Sequence, residues 1–564
     1  MRGQCAQDAI DRMRVTRRRF VSGAFAVAAP VPFVANAKSA LAHAGMPRVI
    51  PTADQLAWED LEFGMFIHFA PNTWQNREYD DLSTPLSAIH PDIDTDNWAQ
   101  CAVNLGARYI VFVAKHAGGF CMWQTATTPY SIGHTPWEDG KGDVLRNLSA
   151  SCRKFGLGLG VYVSPRDAYL GAGTGGVCKS PAQQANYNAI YRQQLSEVLS
   201  RYGSMVEMWF DGSTVVPVAD IVRRYAPHAA IFQGPSATIR WVGNENGFAP
   251  YPLWDTEPVS DARSGVSTAL DGDPNGGAWV PVECDVSIRR PNWFWSTTNV
   301  RNLMTLEQLL EVYYRSVGRG AQLLLNVPPN RNGHIADEDF ARAKEFGTEI
   351  RRRFASSEAE MAGNENVLTV HLARSMPIDH VVLEEDCRFG QRVRGFRVEA
   401  RADGQWIELN TGSSIGHKRI IPFAPRVCSA VRLEITETQA EPRIRRFAAF
   451  KTGAAPPAGW NAAAKLWAPN IAGKWANFHF DVELFKQLDA ATQYRLRFVA
   501  DYGEVTGIGN LRLVLNGNVD RRFVRLDPKA PNALILTITA LGEKVGISGT
   551  VAGAASGTIL LQKM

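Results

Sequence analysis

Short apolar runs alternate with longer amphipathic segments between about residue 50 and residue 355. Runs rich in Val, Ile, Leu, Phe and Met with little polar alternation are typical of strands buried on both faces, as in a parallel sheet. The pattern predicts strands over residues 64–69, 109–116, 157–164, 205–210, 229–233, 281–288 and 321–327.

Helices are predicted between these strands, over residues 96–105, 143–155, 183–202, 219–225, 306–317 and 336–354. Gly156 follows the second helix as a C-cap, and Thr305 precedes the fifth as an N-cap. Alternating strands and helices predict parallel strands with crossover helices, closed into a TIM-like (β/α)-barrel over residues 45–355. An open doubly wound sheet is the alternative, although no glycine-rich phosphate loop follows any strand.

The pattern changes after residue 356 to short strands with alternating apolar and polar positions. They span residues 366–373, 380–383, 393–400, 405–409, 430–435 and 444–450. This pattern predicts a β-sandwich over residues 356–452, followed by a linker at residues 453–462. Residues 465–564 form a further β-rich segment, so the expected fold class is multidomain: a barrel and two all-β, sandwich-like domains.

The N-terminal residues differ in composition from the rest of the chain. Thr16-Arg17-Arg18-Arg19-Phe20 precedes an alanine-rich apolar run, and Ala35-Asn36-Ala37 has the small-x-small form of a cleavage site. Residues 1–37 resemble a twin-arginine export signal, which implies a periplasmic or secreted protein. A disordered basic tail is the alternative. No other stretch has the roughly eighteen apolar residues of a transmembrane helix, so membrane insertion is not expected.

Charge and cysteine content narrow the classes of function. Without residues 1–37 the chain has 54 basic and 54 acidic residues. A neutral chain argues against binding to nucleic acid or to anionic membranes, which need a basic surface. The seven cysteines after residue 37 have no Cys-x-x-Cys spacing and form neither a disulfide scaffold nor a zinc site, although Cys387 and Cys428 could pair.

Polar residues stand at the predicted carboxyl ends of six strands. They are His68, Lys115-His116, Ser164-Arg166-Asp167, Asp211, Glu283-Asp285 and Asn326. One such residue is more often a cap than a catalyst, but six are typical of the catalytic cleft of a parallel barrel. Flat aromatic faces near carboxylates suit a sugar ring. The aromatic candidates are Trp74, Tyr79, Trp123, Tyr162, Trp209, Trp241, Trp293 and Trp295.

Eight segments in order carry a resemblance to a known family. They are Phe63–Phe69, Ala114–Trp123, Thr135–Val144, Gly158–Pro165, Trp209–Gly212, Trp241–Glu245, Glu283–Arg289 and Leu323–Asn330. With them, residues 57–333 resemble the catalytic domain of glycoside hydrolase family 29, the α-L-fucosidases. Each motif alone is weak, whereas eight in order over this length are specific.

The resemblance implies a retaining exo-α-L-fucosidase. The Asp of the Trp-x-Asp-Gly motif is the nucleophile, which corresponds to Asp211, and a second carboxyl is the acid/base. The Gly-Asn-Glu segment resembles the acid/base loop of the branch that prefers α-1,3/1,4-linked fucosides and indicates Glu245. Glu283 is the alternative, and Glu257 and Asp255 stay open. This chemistry predicts that the two pKa values are shifted in opposite directions.

The resemblance also implies binding roles. His68, His116 and Tyr162 correspond to residues that touch the sugar ring, and neutral histidines can bind hydroxyl groups without adding charge. Further substrate-binding candidates are Glu78, Tyr79, Trp209, Trp241 and Glu283. The expected partner is a fucosylated oligosaccharide or glycoconjugate, with no metal and no organic cofactor.

Three positions depart from the family pattern. Ala117-Gly118 replaces a second histidine and an aspartate, Arg166 stands where the family commonly has tryptophan, and the connection after Asp211 is short. Fucose is the expected glycone. The alternatives are a glycosidase for another sugar, such as an α-L-galactoside, or a non-catalytic glycan-binding barrel.

Residues 365–452 resemble a discoidin-like domain of the coagulation-factor C type. Leu383–Val393 and Gly412–Arg419 carry this resemblance. It implies either glycan binding by the loops or a module that packs against the barrel.

Overall fold

The structure, a computed structural model, describes residues 49–262 and 272–454. Between residues 461 and 563 it describes the backbone of nine strands. The predicted export signal at residues 1–37 and most of the predicted linker at residues 453–462 lie outside the described residues.

The first part of the chain forms a nearly closed barrel of eight parallel strands. The strands up to residue 326 are β1 (Phe63–Ile67), β2 (Tyr109–Lys115), β3 (Gly158–Val163), β4 (Met205–Trp209), β5 (Ala230–Phe232), β6 (Arg240–Trp241), β7 (Thr256–Glu257), β8 (Ala278–Trp279), β9 (Val282–Ser287) and β10 (Gln322–Asn326). The barrel order is β5-β4-β3-β2-β1-β10-β9-β6, while β7 and β8 pair separately. A backbone bridge between Phe232 and Ile239 connects the two ends of this sheet. The predicted barrel is therefore confirmed.

Helices cover the outside of the barrel. They are α1 (Ala53–Glu59), α2 (Asn72–Gln75), α3 (Thr95–Leu105), α4 (Val144–Phe155), α5 (Pro181–Arg201), α6 (Ala219–Tyr225), α7 (Val259–Ala262), α8 (Leu306–Arg315) and α9 (Asp337–Phe354). Gly156 ends α4 in the left-handed conformation, and Thr305 forms a capping box with Gln308 at the start of α8. Both predicted caps are confirmed because these residues satisfy backbone groups that a helix end leaves unpaired.

Strand alternation decides which side chains point into the barrel. Glu207 and Trp209 on β4, like Glu283 and Asp285 on β9, lie two positions apart and therefore share a face. The two residues of each pair lie about 7 Å apart along their strand. The first residue of each pair lies in the closed interior, and the second lies where the barrel opens.

The next six strands form one antiparallel sheet. They are β11 (Ala359–Gly363), β12 (Val367–Glu385), β13 (Val393–Ala402), β14 (Gln405–Gly412), β15 (Arg419–Thr438) and β16 (Ile444–Phe450), in the order β11-β16-β12-β15-β13-β14. The short β-strands predicted for this part of the chain are confirmed, while their arrangement as a sandwich and the discoidin-like assignment stay predictions. Cys387 and Cys428 are separate buried thiols, so the disulfide that the sequence left open is not formed.

This β-domain packs directly against the barrel. Val382, Ile420 and Phe450 belong to the same hydrophobic core as the barrel helices. Tyr314 on α8 shares a hydrogen bond of 2.7 Å with His380 on β12. The two segments therefore share apolar and polar contacts.

The final strands form two more antiparallel sheets. They are β17 (Asn461–Trp467), β18 (Ala476–Phe480), β19 (Thr492–Ala500), β20 (Gly507–Leu515), β21 (Asn518–Asp520), β22 (Val524–Asp527), β23 (Ala530–Ile538), β24 (Val545–Ala552) and β25 (Ser556–Lys563). Their orders are β17-β25-β19-β23-β22 and β18-β24-β20-β21. The β-rich character predicted for residues 465–564 is confirmed.

Candidate active site

A cavity of about 270 Å³ lies at the carboxyl ends of the barrel strands. Eight of the ten predicted site residues line it: His68, Glu78, Tyr79, His116, Tyr162, Trp209, Asp211 and Glu245. Phe66, Ala117, Ser164, Arg166, Thr174, Gly212, Asp285, Trp293 and Phe294 complete the lining. The mixture of aromatic faces, carboxyl groups and histidines is suited to a sugar.

Asp211 follows β4 at the wall of the cavity. Gly212 turns the backbone with a φ of +75°, and its N–H donates to the Gln233 side chain at 2.8 Å. Tyr162 donates its hydroxyl proton to Asp211 Oδ2 at 2.9 Å. Although the carboxyl group faces the cavity, the surrounding protein limits its hydration and raises its pKa, against the effects of Tyr162 and Arg166. The group therefore has the donors expected of a functional carboxylate.

Glu245 lies in the loop after β6 and faces the same cavity. Its Oε2 is 3.5 Å from Arg290 Nη1, and the Arg290 side chain also donates to Asn246. Burial raises the pKa of Glu245, opposed by Arg290 and reinforced by the charges of Asp211 and Glu78. A carboxyl group with a raised pKa can hold a proton for transfer.

The predicted opposite pKa shifts of the two catalytic candidates are not observed. The pKa values of Asp211 and Glu245 are both raised, in each case chiefly because the surrounding protein limits the hydration of the carboxyl group. What distinguishes the two groups is their partners: Asp211 accepts a hydroxyl hydrogen bond, whereas Glu245 interacts with a guanidinium group at the longer distance of 3.5 Å.

His68 is held in one tautomer by Asn326. Asn326 donates through its amide nitrogen to Ser287 Oγ and to the Trp293 carbonyl, which fixes its oxygen toward His68 Nδ1 at 2.8 Å. His68 therefore donates from Nδ1, and its Nε2 is left as an acceptor. Burial lowers the pKa of His68 well below its usual value, with a further effect of His116. His68 is thus neutral, as predicted, and can accept a hydrogen bond from a hydroxyl group.

His116 forms the neighbouring wall. Its ring stacks on Tyr162, with centroids 5.8 Å apart and an interplanar angle of 19°. Burial, followed by the charge of Arg166, lowers the pKa of His116 to about 4. Its Nδ1 has no hydrogen-bond partner among the described residues. A second neutral imidazole therefore faces the cavity.

Glu78 and Tyr79 lie on the loop after α2. The carboxylate of Glu78 accepts from the Asn292 side chain at 2.9 Å and from the Trp293 N–H at 2.8 Å. Tyr79 is 66% exposed, and the Arg166 guanidinium lies 5.5 Å from the centroid of its ring. Glu78 thus holds the aromatic wall in place, while Tyr79 and Arg166 form the rim.

The binding role predicted for Glu283, and its alternative role as acid/base, are not supported by its position. Glu283 is fully buried in the layer below the cavity and does not line it. Burial, then the neighbouring Glu207, raises its pKa well above the usual value. Glu207 accepts from the indole N–H groups of Trp58 and Trp209. Glu283 is therefore protonated, with Glu207 as its neighbouring carboxylate, and it lies beneath the floor of the cavity.

Trp241 is the second predicted binding residue that does not line the cavity. It contacts Asp285, a carboxyl group that does line the cavity. The Trp241 indole N–H donates to Asp285 Oδ1 at 2.6 Å. Asp255 and Glu257, the remaining acid/base candidates, are also buried outside the cavity. The Asp255 N–H donates to Gln391 at the contact with the β-domain.

Asp285 lines the cavity, whereas from the sequence it was expected only as one of the polar strand ends, with no binding or catalytic role of its own. Glu283 and Asp285 share a face of β9, and the sequence pattern does not reveal at which of the two residues the interior opens into the cavity. Lys115, by contrast, points away from the cavity and donates to Asp167 at 3.1 Å and Gln194 at 2.9 Å. The predicted polar strand ends therefore include both site and structural residues.

No group of three or more His, Cys, Asp or Glu side chains among the described residues is arranged to hold a metal ion. None of the described helices combines the length and apolar character needed to cross a membrane.

Known proteins share both the sequence and the fold. The family described as alpha-L-fucosidase matches residues 72–352. The chain is 30% identical over 446 residues to alpha-L-fucosidase 1 of Arabidopsis thaliana, covering 70% of this chain and 86% of the relative.

Solved structures extend this similarity. A glycoside hydrolase 29 family member from an unknown rumen bacterium is 27% identical with a TM-score of 0.66, covering 92% of this chain and 99% of that one. A Ruminococcus gnavus GH29 fucosidase in complex with fucose is 25% identical with a TM-score of 0.64, covering 73% of this chain and 98% of that one.

Proposed function

The chain belongs to glycoside hydrolase family 29, the α-L-fucosidases, and from this membership we propose that it releases terminal L-fucose from glycans with retention of configuration. The observation that carries the proposal is the shared cavity of Asp211 and Glu245 at the open end of the barrel. Two carboxyl groups facing one sugar-sized site are the requirement of double displacement.

In this mechanism Asp211 is the nucleophile. Its carboxylate attacks the anomeric carbon and forms a glycosyl ester, while Glu245 gives its proton to the departing glycosidic oxygen. Glu245 then takes a proton from water, which hydrolyses the ester and releases fucose. Tyr162 supports the first step because its hydrogen bond favours the ionised form of Asp211.

The histidines and aromatic walls bind the sugar in this proposal. His68 Nε2 accepts from a ring hydroxyl because its Nδ1 is committed to Asn326. His116 can act in the same way, since its low pKa keeps the imidazole neutral. Trp209 and Trp293 supply flat apolar faces for the C–H side of the ring.

Azide separates the roles of the two carboxyl groups. Asp211→Ala is expected to lower kcat at least a thousandfold with an aryl α-L-fucoside, and added azide should yield the β-L-fucosyl azide. Glu245→Ala should be rescued by azide with formation of the α-L-fucosyl azide, because azide attacks the intact glycosyl ester. Nuclear magnetic resonance of the products identifies the anomer.

Glu283→Gln is the matched control, because Glu283 is a buried glutamate outside the cavity. Azide should not accelerate this variant. Wild-type rates in Asp211→Ala, or azide rescue of Glu283→Gln in place of Glu245→Ala, would overturn the assignment.

Linkage and glycone preference are part of the proposal. The Gly243-Asn244-Glu245 loop supports a preference for α-1,3/1,4-linked over α-1,2-linked fucosides, which a comparison of kcat/KM on isomeric oligosaccharides tests. Ala117 lines the cavity where the family resemblance implies a histidine, and this smaller side chain favours a second candidate, a glycosidase that accepts an α-L-galactoside. An aryl α-L-galactoside in the same assay measures that activity directly.

Export through the twin-arginine pathway is also proposed, on the motif Thr16-Arg17-Arg18-Arg19-Phe20. Replacing Arg17 and Arg18 together by lysine should leave whole-cell fucosidase activity in place and remove it from the periplasmic and culture fractions. An unchanged distribution of activity would contradict export by this route.

A further inference from the structure

The cavity contains a carboxyl group that the double displacement does not use. Asp285 is buried on the inner face of β9 and lines the cavity together with Asp211 and Glu245. Its Oδ1 accepts from the Trp241 indole N–H at 2.6 Å, which fixes the orientation of the carboxyl group. No other side chain of the described residues is hydrogen-bonded to Oδ2, so this oxygen is available for a ligand.

The groups around Asp285 disfavour its ionised form. Glu245 and Asp211 face it across the cavity, and Glu283 lies below it on the same strand. The neighbouring strands offer no cation at this level: β10 places Leu324 opposite Asp285, and β6 contributes the neutral indole of Trp241. Burial, then the charge of Glu245, raises the pKa of Asp285 to about 8, against the effect of Trp241.

A neutral carboxyl group is useful in such a site. Double displacement needs one ionised carboxylate and one proton donor, and a further negative charge beside Glu245 would oppose the developing negative charge on the leaving oxygen. A carboxylic acid held neutral by an apolar setting instead donates a strong hydrogen bond. Of the two catalytic candidates, Glu245 has the charge with the larger effect on the pKa of Asp285.

We propose that Asp285 is a substrate-binding carboxylic acid, which donates a hydrogen bond from Oδ2 to a hydroxyl group of the leaving-group sugar. This inference rests on the proposed fucosidase function and adds a determinant of aglycone recognition to it. Trp241 is the positioning residue, since it orients the carboxyl group through Oδ1.

Paired variants and paired substrates test the proposal. Asp285→Ala should lower kcat/KM for an α-1,3-fucosylated disaccharide about tenfold more than for an aryl α-L-fucoside, which lacks the second sugar. Asp285→Asn keeps an uncharged N–H donor of similar shape and should recover most of the loss. Glu283→Gln, two residues earlier on the same face, should leave the ratio between the two substrates unaltered.

The pH profile distinguishes hydrogen bonding from mere packing. Hydrolysis of the disaccharide by the wild type should fall as Asp285 ionises near pH 8, and Asp285→Asn should lack this fall. Trp241→Phe removes a donor that favours the ionised form, so the fall should move to higher pH. Equal losses in Asp285→Asn and Asp285→Ala, or equal losses on both substrates, would overturn the proposal.

A binding measurement keeps this inference separate from the proposed function. If the wild type released no fucose, the fucosidase proposal would fail. Calorimetric titration with the same disaccharide would still measure the contribution of Asp285 to binding. An at least tenfold weaker binding by Asp285→Ala than by Asp285→Asn supports the inference. Equal affinities of the two variants would contradict it.

Discussion

At the scale of single residues, the Tyr162 hydroxyl sets the charge of Asp211. Its hydrogen bond at 2.9 Å favours the ionised carboxylate, in opposition to the limited hydration of this carboxyl group. Tyr162→Phe should therefore raise the pKa of Asp211 further, by about one to two units for a hydrogen bond to a charged group worth roughly 1.5–3 kcal/mol. Because Asp211 must be ionised to attack, the acid limb of the kcat/KM profile should move to higher pH.

Tyr191→Phe is the control for this change. Tyr191 is equally buried, and its hydroxyl donates to the Val163 carbonyl at 2.7 Å, away from the cavity lining. The control should leave the acid limb in place. An unmoved acid limb in Tyr162→Phe would show that this hydrogen bond does not control the charge of Asp211.

Site residues differ in how well the sequence predicts them. Asp211 is predictable because a strand, a carboxylate and a turn glycine are adjacent in the chain. Asp285 is not, because Glu283 and Asp285 are equivalent in a two-residue period and only the shape of the barrel decides which one reaches the cavity. Trp241 was predicted to bind the sugar, but it lies outside the cavity lining and its indole N–H donates to Asp285.

At the scale of elements, a buried ion pair joins the end of β2 to the polypeptide after β3. Lys115 and Asp167 are both fully buried, 3.1 Å apart. Lys115→Met should lower the free energy of unfolding by about 3–5 kcal/mol, because it leaves a buried carboxylate without its cation. Urea unfolding followed by tryptophan fluorescence measures the change.

An exposed ion pair provides the control for Lys115. Lys154 pairs with Asp96, and the two side chains are largely in solvent. Lys154→Met should therefore change stability by less than about 1 kcal/mol. Equal losses of stability in the two variants would show that burial of the Lys115 ion pair does not determine the cost of removing its cation.

Elements with strong local signals are the ones that the sequence predicts. Six of the helices and seven of the barrel strands are found close to their expected bounds, because apolar runs and caps lie within each element. Arg240–Trp241 was missed because two residues carry no periodicity. This strand exists through tertiary pairing with Val282 and Glu283 on β9.

At the scale of the whole molecule, buried acids make stability depend on pH. Burial raises the pKa of Asp255 to about 7, with Arg240 opposing and Glu385 reinforcing the shift. The folded state therefore binds a proton that the unfolded chain has lost, and stability falls as pH rises toward the folded pKa. The neutral histidines act in the opposite direction, but only below their unfolded pKa of about 6.5.

The melting temperature should consequently fall between about pH 6.5 and pH 8, where Asp255 and Asp285 lose their protons and the histidines no longer contribute. Asp255→Asn should reduce this fall because the amide does not ionise. Asp54→Asn, at the exposed start of α1, is the control and should retain it. A melting temperature that rises over this range would contradict the conclusion that proton loss from these buried acids controls stability.

The contact between the barrel and the β-domain has a consequence for how the enzyme can be divided. Val382, Ile420 and Phe450 complete the hydrophobic core of the barrel, and Asp379 accepts hydrogen bonds from the Thr452 and Gly453 N–H groups. A fragment ending near residue 355 would expose this apolar face to water. A catalytic fragment should therefore retain the chain at least through residue 453, and recombination of this barrel with a foreign partner domain would have to rebuild the lost packing.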